Sequence, residues 1–181
     1  MDNLNNFEII AYVDGACSNN GSKDAKGGWA FVILFDNKNK EIQAAGYAEQ
    51  VTNERMELTA MIKVLEEIKK RWFNSTPLPS QQIPILILSD SQNVVNGSND
   101  WMFRWERNGW ARTPKSRKEL KNLDLWKRIF DLVNEIHPTI RWIKGHTGNK
   151  YNAFCDYLAT TATRTKSDYF KILRKSVKGS T

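Results

Sequence analysis

A chain of 181 residues and 20.9 kDa fits one domain of ordinary size, able to bury about 70% of the surface that its unfolded form exposes. With 40% hydrophobic residues, 26% charged residues and a mean hydropathy of -0.57, it is neither a disordered tail nor a bundle of membrane spans. Lys and Arg number 27 against 20 for Asp and Glu, a net charge of +7, which suits an anionic partner without naming it.

The longest apolar run, Ile83 to Leu88, is broken by Pro84 and falls far short of the ~20 residues that a bilayer demands. Met1-Asp2-Asn3 lacks the basic start of a signal peptide, so a cytoplasmic protein without membrane contact is expected. Cys17 and Cys155 make no C-x-x-C pair. They read as two reduced thiols, and no zinc site is implied.

Phe7 to Val13 is an apolar, β-branched run ended by Asp14-Gly15. Gly28 to Phe35 and Glu41 to Ala48 follow as strands around the turn-like Asp36-Asn37-Lys38-Asn39, which suggests an antiparallel meander. From Glu54 to Trp72 the residues Leu58, Met61, Ile62, Leu65, Ile68 and Trp72 recur at helical spacing. After a Pro/Ser-rich connection at Ser75 to Gln82, Ile83 to Leu88 has the composition of a strand covered on both faces. Helical segments are expected through Val95, from Asp100 to Arg107 and from Leu123 to Ile136, then a strand at Thr139 to Lys144 and a helix from Tyr151 to Thr163. The order βββαβαβα predicts one mixed sheet with helices on its faces.

Asp14 and Asp90 each close an apolar strand in this reading, at the carboxyl ends where open α/β sheets place ligands. Either could equally begin a turn or cap the next helix. Glu57 lies four residues before Met61, on the helix stripe expected to face the sheet. Its place in the first turn, where the helix dipole favours an acid, is the simpler account. Acids that share a crevice repel one another, and a divalent cation held by oxygens resolves the repulsion. Magnesium suits such ligands better than zinc, because His137 and His146 form no H-x-x-x-H pattern.

Five pieces of sequence occur in one order: Tyr12-Val13-Asp14-Gly15-Ala16-Cys17, Thr52-Asn53-Glu54-Arg55-Met56-Glu57-Leu58, Ser89-Asp90-Ser91-Gln92, Asn122-Leu123-Asp124-Leu125-Trp126, and Trp142-Ile143-Lys144-Gly145-His146-Thr147-Gly148 followed by Cys155-Asp156. From about Glu8 to Thr163 the chain thereby resembles type 1 ribonuclease H, the family that cuts the RNA strand of RNA/DNA hybrids. The resemblance implies a single-domain α/β ribonuclease H-like fold with a mixed five-stranded sheet, three antiparallel then parallel strands, flanked by helices. It also implies a catalytic domain over residues 1–164, with 165–181 a basic extension rather than a separate domain.

The implied catalytic quartet is Asp14, Glu57, Asp90 and Asp156. It would hold two Mg2+ ions with substrate, Mn2+ being a substitute, and the products would carry 5′-phosphate and 3′-hydroxyl ends. His146, in a loop begun by Gly145 and Gly148, would help to move protons or release product; without the motif around it, it would read as an exposed loop histidine. Cys17, Asn20, Asn53, Glu54 and Gln92 would read the RNA strand through its 2′-hydroxyls. Thr52 and Asn122 look like a pocket for a DNA-strand phosphate, and Trp101 like an aromatic lining the DNA channel. The implied partner is an RNA/DNA hybrid bound by a monomer, with no obligate protein partner.

Between Trp101 and Lys121 the basic residues Arg104, Arg107, Arg112, Lys115, Arg117, Lys118 and Lys121 face only Glu106 and Glu119, a local excess that suits phosphates. Trp105 and Trp110, interleaved there, are expected in the core. The sequence also departs from the family. Glu54 stands where relatives commonly carry Asn or Gln, Asn93 replaces a frequent aromatic, and Gln50 occupies a position often held by Arg. Tyr169, Phe170, Leu173 and Val177 lie near helical spacing within a basic tail, which leaves open a docked helix or a frayed end. Two other functions compete: an integrase- or resolvase-like reaction on the same fold, opposed by the Asp-Ser-Gln and Lys-Gly-His pieces, and a non-catalytic hybrid-binding module, opposed by the full set of four acids.

Overall fold

The computed structural model describes residues 3–74 and 82–175. Strands β1 (Ile9–Ser18), β2 (Lys26–Phe35) and β3 (Lys40–Glu49) form the expected antiparallel meander. Asp36, Asn37 and Lys38 turn the chain between β2 and β3 with φ of 52°, 51° and 66°, a left-handed conformation that Asp and Asn tolerate well. Helix α1 (Asn53–Ile68) is capped by Thr52, whose hydroxyl accepts the Arg55 N–H at 3.2 Å. Its apolar stripe continues only as a wider turn, Lys69–Phe73.

Then come β4 (Ile85–Ser89), α2 (Gln92–Asn96), a second wide turn (Gly97–Trp101), α3 (Met102–Arg107), α4 (Leu123–Ile136), β5 (Thr139–Trp142), α5 (Lys150–Thr165) and β6 (Tyr169–Arg174). The Pro/Ser-rich connection at 75–81, and Val177 and Lys178 of the tail, lie outside the described residues.

The sheet order is β5-β4-β1-β2-β3-β6, with β4 parallel to both β1 and β5. Alternate residues of β1 and β4 feed two cores. Ile9, Ala11, Val13, Ile85 and Ile87 pack with Leu58, Met61, Leu65, Ile129 and Leu132 from α1 and α4. Ile10, Tyr12, Leu86 and Leu88 pack with Cys155, Leu158, Ala159 and Ala162, all from α5. Burial on both faces explains why these strands are apolar throughout. Under α5, a Cβ on Gly28 would fall 2.1 Å from the Ala159 carbonyl oxygen, so this helix rests directly on strand backbone. Cys155 is buried there, as a small hydrophobe would be, whereas Cys17 is only half-buried.

The expected fold class holds, with two differences. The sheet has six strands, because the chain reverses at Lys166 (φ 53°) and Tyr169–Arg174 pairs antiparallel with β3. The tail is therefore a strand, neither a helix nor a frayed end, over its described part. Asp14 does not end β1: it pairs with Ala30 of β2, and β1 continues to Ser18. What ends beside it is the parallel ladder, whose last pair is Val13 with Ser89. Trp105 and Trp110 are half-buried against the core, edge-on to Trp126 and Phe130 respectively.

Candidate active site

Stopping the β1–β4 ladder at Val13 and Ser89 releases the next residue of each strand, Asp14 and Asp90, side by side. Helix α1 brings Glu57 to them because Gly15 has no side chain: a Cβ there would lie 2.3 Å from the Glu57 backbone nitrogen. From the opposite face α5 contributes Asp156, and the loop before α5 contributes His146. All five line one crevice of about 260 Å³, with Asn149 and Asn152. Among its described lining residues there is no Lys or Arg.

Electrostatics follow from that shape. Burial first, and then the charge of Asp90 with smaller contributions from Asp156 and Glu57, pushes Asp14 up to about 8 despite the Gly15 N–H donated to its Oδ1 at 2.8 Å. Burial also raises Glu57, against which the Ser91 hydroxyl and the Asn53 amide donate at 2.6 and 3.1 Å. Asp90 Oδ2 accepts from Asn152 Nδ2 at 3.2 Å, and the Asp90 carbonyl accepts from the Trp142 indole at 3.0 Å.

Asp156 and His146 are exposed at the rim, His146 with a φ of 56°. No three His, Cys, Asp or Glu side chains among the described residues converge into a ready-made cage. An oxygen-only donor set carrying unrelieved repulsion nevertheless fits magnesium, which takes one or two carboxylates and fills its remaining positions with water and substrate phosphates.

The remaining expected site residues are not among those that line the crevice. Asn20 Oδ1 accepts the Asn53 N–H at 3.1 Å, tying the β1–β2 connection to α1. Cys17 Sγ contacts the Val51 carbonyl at 3.5 Å. Thr52 is the α1 cap, and Gln92 is exposed at the start of α2. Glu54 accepts from Asn122 Nδ2 at 3.2 Å. Asn122 Oδ1 in turn accepts from Arg55 at 3.1 Å, and Arg55 grips Asp124 through two bonds of 3.1 and 2.8 Å. Trp101 does not reach the crevice. It lines a separate groove of about 600 Å³ with Glu54, Trp105 and Trp126.

Sequence reasoning missed Asn152, Ser91 and Arg55. Asn152 carries a usable signal, four residues before Asp156 and so on the same face of α5.

The acid-lined crevice lies at the switch from parallel to antiparallel pairing, where open α/β sheets place ligands. Residues 6–164 match the family model for RNase H. Ribonuclease H of Prosthecochloris aestuarii (strain DSM 271 / SK 413) is 40% identical over 158 residues, 87% of this chain and 96% of that protein. Ribonuclease H of Francisella tularensis subsp. novicida (strain U112) is 39% identical over 154 residues, 85% and 90% of the two chains. Among solved structures, LC9-RNase H1, described as a type 1 RNase H with the type 2 active-site motif, has a TM-score of 0.75 at 22% identity, covering 93% of this chain and 77% of that one. LC11-RNase H1 in complex with RNA/DNA hybrid has a TM-score of 0.62 at 19% identity, covering 87% and 98%.

The chain belongs to the ribonuclease H family and is a hydrolase of that class. Among the described residues no helix is long and apolar enough to cross a membrane.

Proposed function

We propose that this protein cuts the RNA strand of RNA/DNA hybrids, with Asp14, Glu57, Asp90 and Asp156 as the catalytic acids. The observation that carries the reading is the crevice that all four line, in which Asp14 is pushed up to about 8. Magnesium would be held by these four carboxylates, with manganese as a substitute of the same oxygen preference. Bound with the scissile phosphate, two such ions would activate the attacking water and stabilise the leaving 3′ oxygen, giving 5′-phosphate and 3′-hydroxyl ends.

The chain's own residues orient these acids. Asn152 fixes one oxygen of Asp90, Ser91 and Asn53 fix the two oxygens of Glu57, and the Gly15 N–H fixes Asp14. His146, exposed on the rim, is free to carry a proton or help product leave. Cys17, Asn20, Asn53, Glu54 and Gln92 would read 2′-hydroxyls. Among the described residues Asn20 is engaged through its oxygen, by the Asn53 N–H, which leaves its amide donors for this. Thr52 and Asn122 would meet a DNA-strand phosphate, and Trp101 would line the path of that strand. Residues 1–164 then form the catalytic unit, to which the extension adds a strand rather than a domain.

The test is cleavage of strand-labelled RNA/DNA, RNA/RNA, DNA/DNA and junction substrates with magnesium, comparing wild type with Asp90→Asn. RNA-strand cleavage of the hybrid, nearly abolished in a folded Asp90→Asn protein, is expected. Wild-type cutting by that variant rejects the assignment, and preference for the junction favours a resolvase-like reaction.

A further inference from the structure

Glu41 and Gln43 of β3 share the face of Ala45, under α5, and are 8% and 6% exposed. A carboxylate in that position is costly unless charge and hydrogen bonds answer it. The answer comes from both ends of the α5–β6 segment. Tyr151, in the first turn of α5, donates its hydroxyl to Glu41 Oε1 at 3.3 Å, while Gln43 Nε2 donates to Oε2 at 3.0 Å. Tyr169, which opens β6, donates to Gln43 Oε1 at 3.1 Å. Lys175, just past β6, donates to the Tyr151 hydroxyl at 3.2 Å and lies 3.7 Å from Glu41 Oε1. Its own N–H is anchored on the Asn39 carbonyl at 2.7 Å.

The same first turn of α5 reaches the crevice on its other side. The Tyr151 ring packs on Tyr12, centroids 5.3 Å apart, two residues before Asp14. Asn149 caps the helix, accepting the N–H groups of Tyr151 and Asn152 at 3.1 Å each, and lines the crevice. Asn152 holds Asp90, and Asp156 follows one turn later. Among the described residues no other helix contributes to this core, so none of them buttresses α5 from the side.

We infer that Lys175, Tyr151 and Glu41 form a clasp through which the C-terminal extension fixes the first turn of α5. They act as positioning residues for Asp156 and for the Asn152–Asp90 contact. The inference rests on the proposed reading of the crevice as the catalytic centre.

The experiment uses the full chain with three variants. Tyr151→Phe keeps the ring on Tyr12 and removes the hydroxyl, Lys175→Met keeps the stem and removes the charge, and Lys175→Arg keeps a cationic donor. In metal-free protein, amide hydrogen exchange at residues 150–156 should quicken about two- to five-fold in the first two variants, the range of an exposed polar pair, while α1 is unchanged. The magnesium concentration for half-maximal hybrid cleavage should rise by a similar factor with KM unaltered, and Lys175→Arg should restore both readouts. The clasp is overturned if exchange at 150–156 quickens no more than in α1, or if the magnesium midpoint stays at its wild-type value. Asp156→Asn, run in parallel, separates the two ideas. Retained cleavage there sinks the reading of the crevice, whereas lost cleavage with unmoved clasp variants sinks the clasp alone.

Discussion

The crevice and the groove beside it use acidic residues in opposite ways. In the crevice three of the four carboxylates, Asp90, Glu57 and Asp14, take neutral donors from Asn152, from Ser91 and Asn53, and from the Gly15 N–H. No Lys or Arg stands among the described lining residues, and Asp14 rises accordingly. One residue on from Glu54, which lines the larger groove, Arg55 binds Asp124 bidentately, which holds Asp124 below the usual carboxylate range and raises Arg55 itself. Arg104, Arg112 and Lys121 line that groove among Trp101, Trp105 and Trp126. Among their described lining residues one region thus lacks Lys and Arg, and the other carries them. Under the proposed function the larger cavity would supply affinity for a polyanion and the smaller, acid-lined one the chemistry.

The most severe way to break this contrast is Asp14→Asn. Between 3.8, its ordinary value, and about 8 the folded protein keeps a proton on Asp14 that the unfolded chain has lost. The unfolding free energy of metal-free wild type should therefore fall as pH rises through that window, by up to about 1.4 kcal/mol per unit. Denaturation at several pH values should show a flatter dependence for Asp14→Asn, together with lost cleavage. An equally steep fall in the variant would show that Asp14 is not strained by its neighbours.

Next in size, His146→Ala should slow turnover by roughly 10²-fold, the lower range for a positioned proton carrier, with magnesium binding by calorimetry unchanged. Lost magnesium affinity would make His146 a ligand instead. Neutralising Lys115, Arg117 and Lys118, all exposed, should leave turnover intact at saturating hybrid. It should also shallow the slope of log affinity against log salt by up to about 2 to 3 units; an unchanged slope would mark an ordinary solvated face. The smallest effect is expected from Glu54→Gln, which removes the negative charge beside the Asn122 amide. Hybrid affinity should rise by about two- to five-fold, and no gain would show that this carboxylate does not oppose the substrate.

What was legible in the sequence was whatever burial had written into it. The apolar Ile83 to Leu88 run and the Leu58 to Trp72 stripe are dictated by two covered faces and one; the strand begins only after Pro84, and the α-helix stops at Ile68 with Trp72 in the wider turn that follows. Strand β6 escaped because an edge strand exposed on both sides needs no alternation of polarity: Phe170 and Ile172, 55% and 49% exposed, share a face without a cover. Its residues therefore matched helical spacing as well as any other. Asp14-Gly15 read as a turn because that dipeptide favours turns, whereas Gly15 serves the close approach of α1. The acids were legible from their motif contexts. The orienting roles of Asn152 and Ser91 were not, although Asn152 lies one turn before Asp156 and Ser91 lies within Ser89-Asp90-Ser91-Gln92, since residue type and spacing do not show which oxygen a polar side chain will hold.

Gly15 under α1 and Gly28 under α5 have a consequence for how this protein can change. On each face of the sheet a helix touches main chain at one glycine, beside the side-chain core that carries the rest of it. At those two points the approach of the helix carrying Glu57 and of the helix carrying Asp156 is limited by backbone dimensions. Those dimensions do not drift when a core Leu becomes Val or Met. Core substitutions can accumulate at some cost in stability while these two points of approach are kept. A single methyl group at either glycine would wedge a helix away from the sheet, shifting Glu57 or Asp156 in one step.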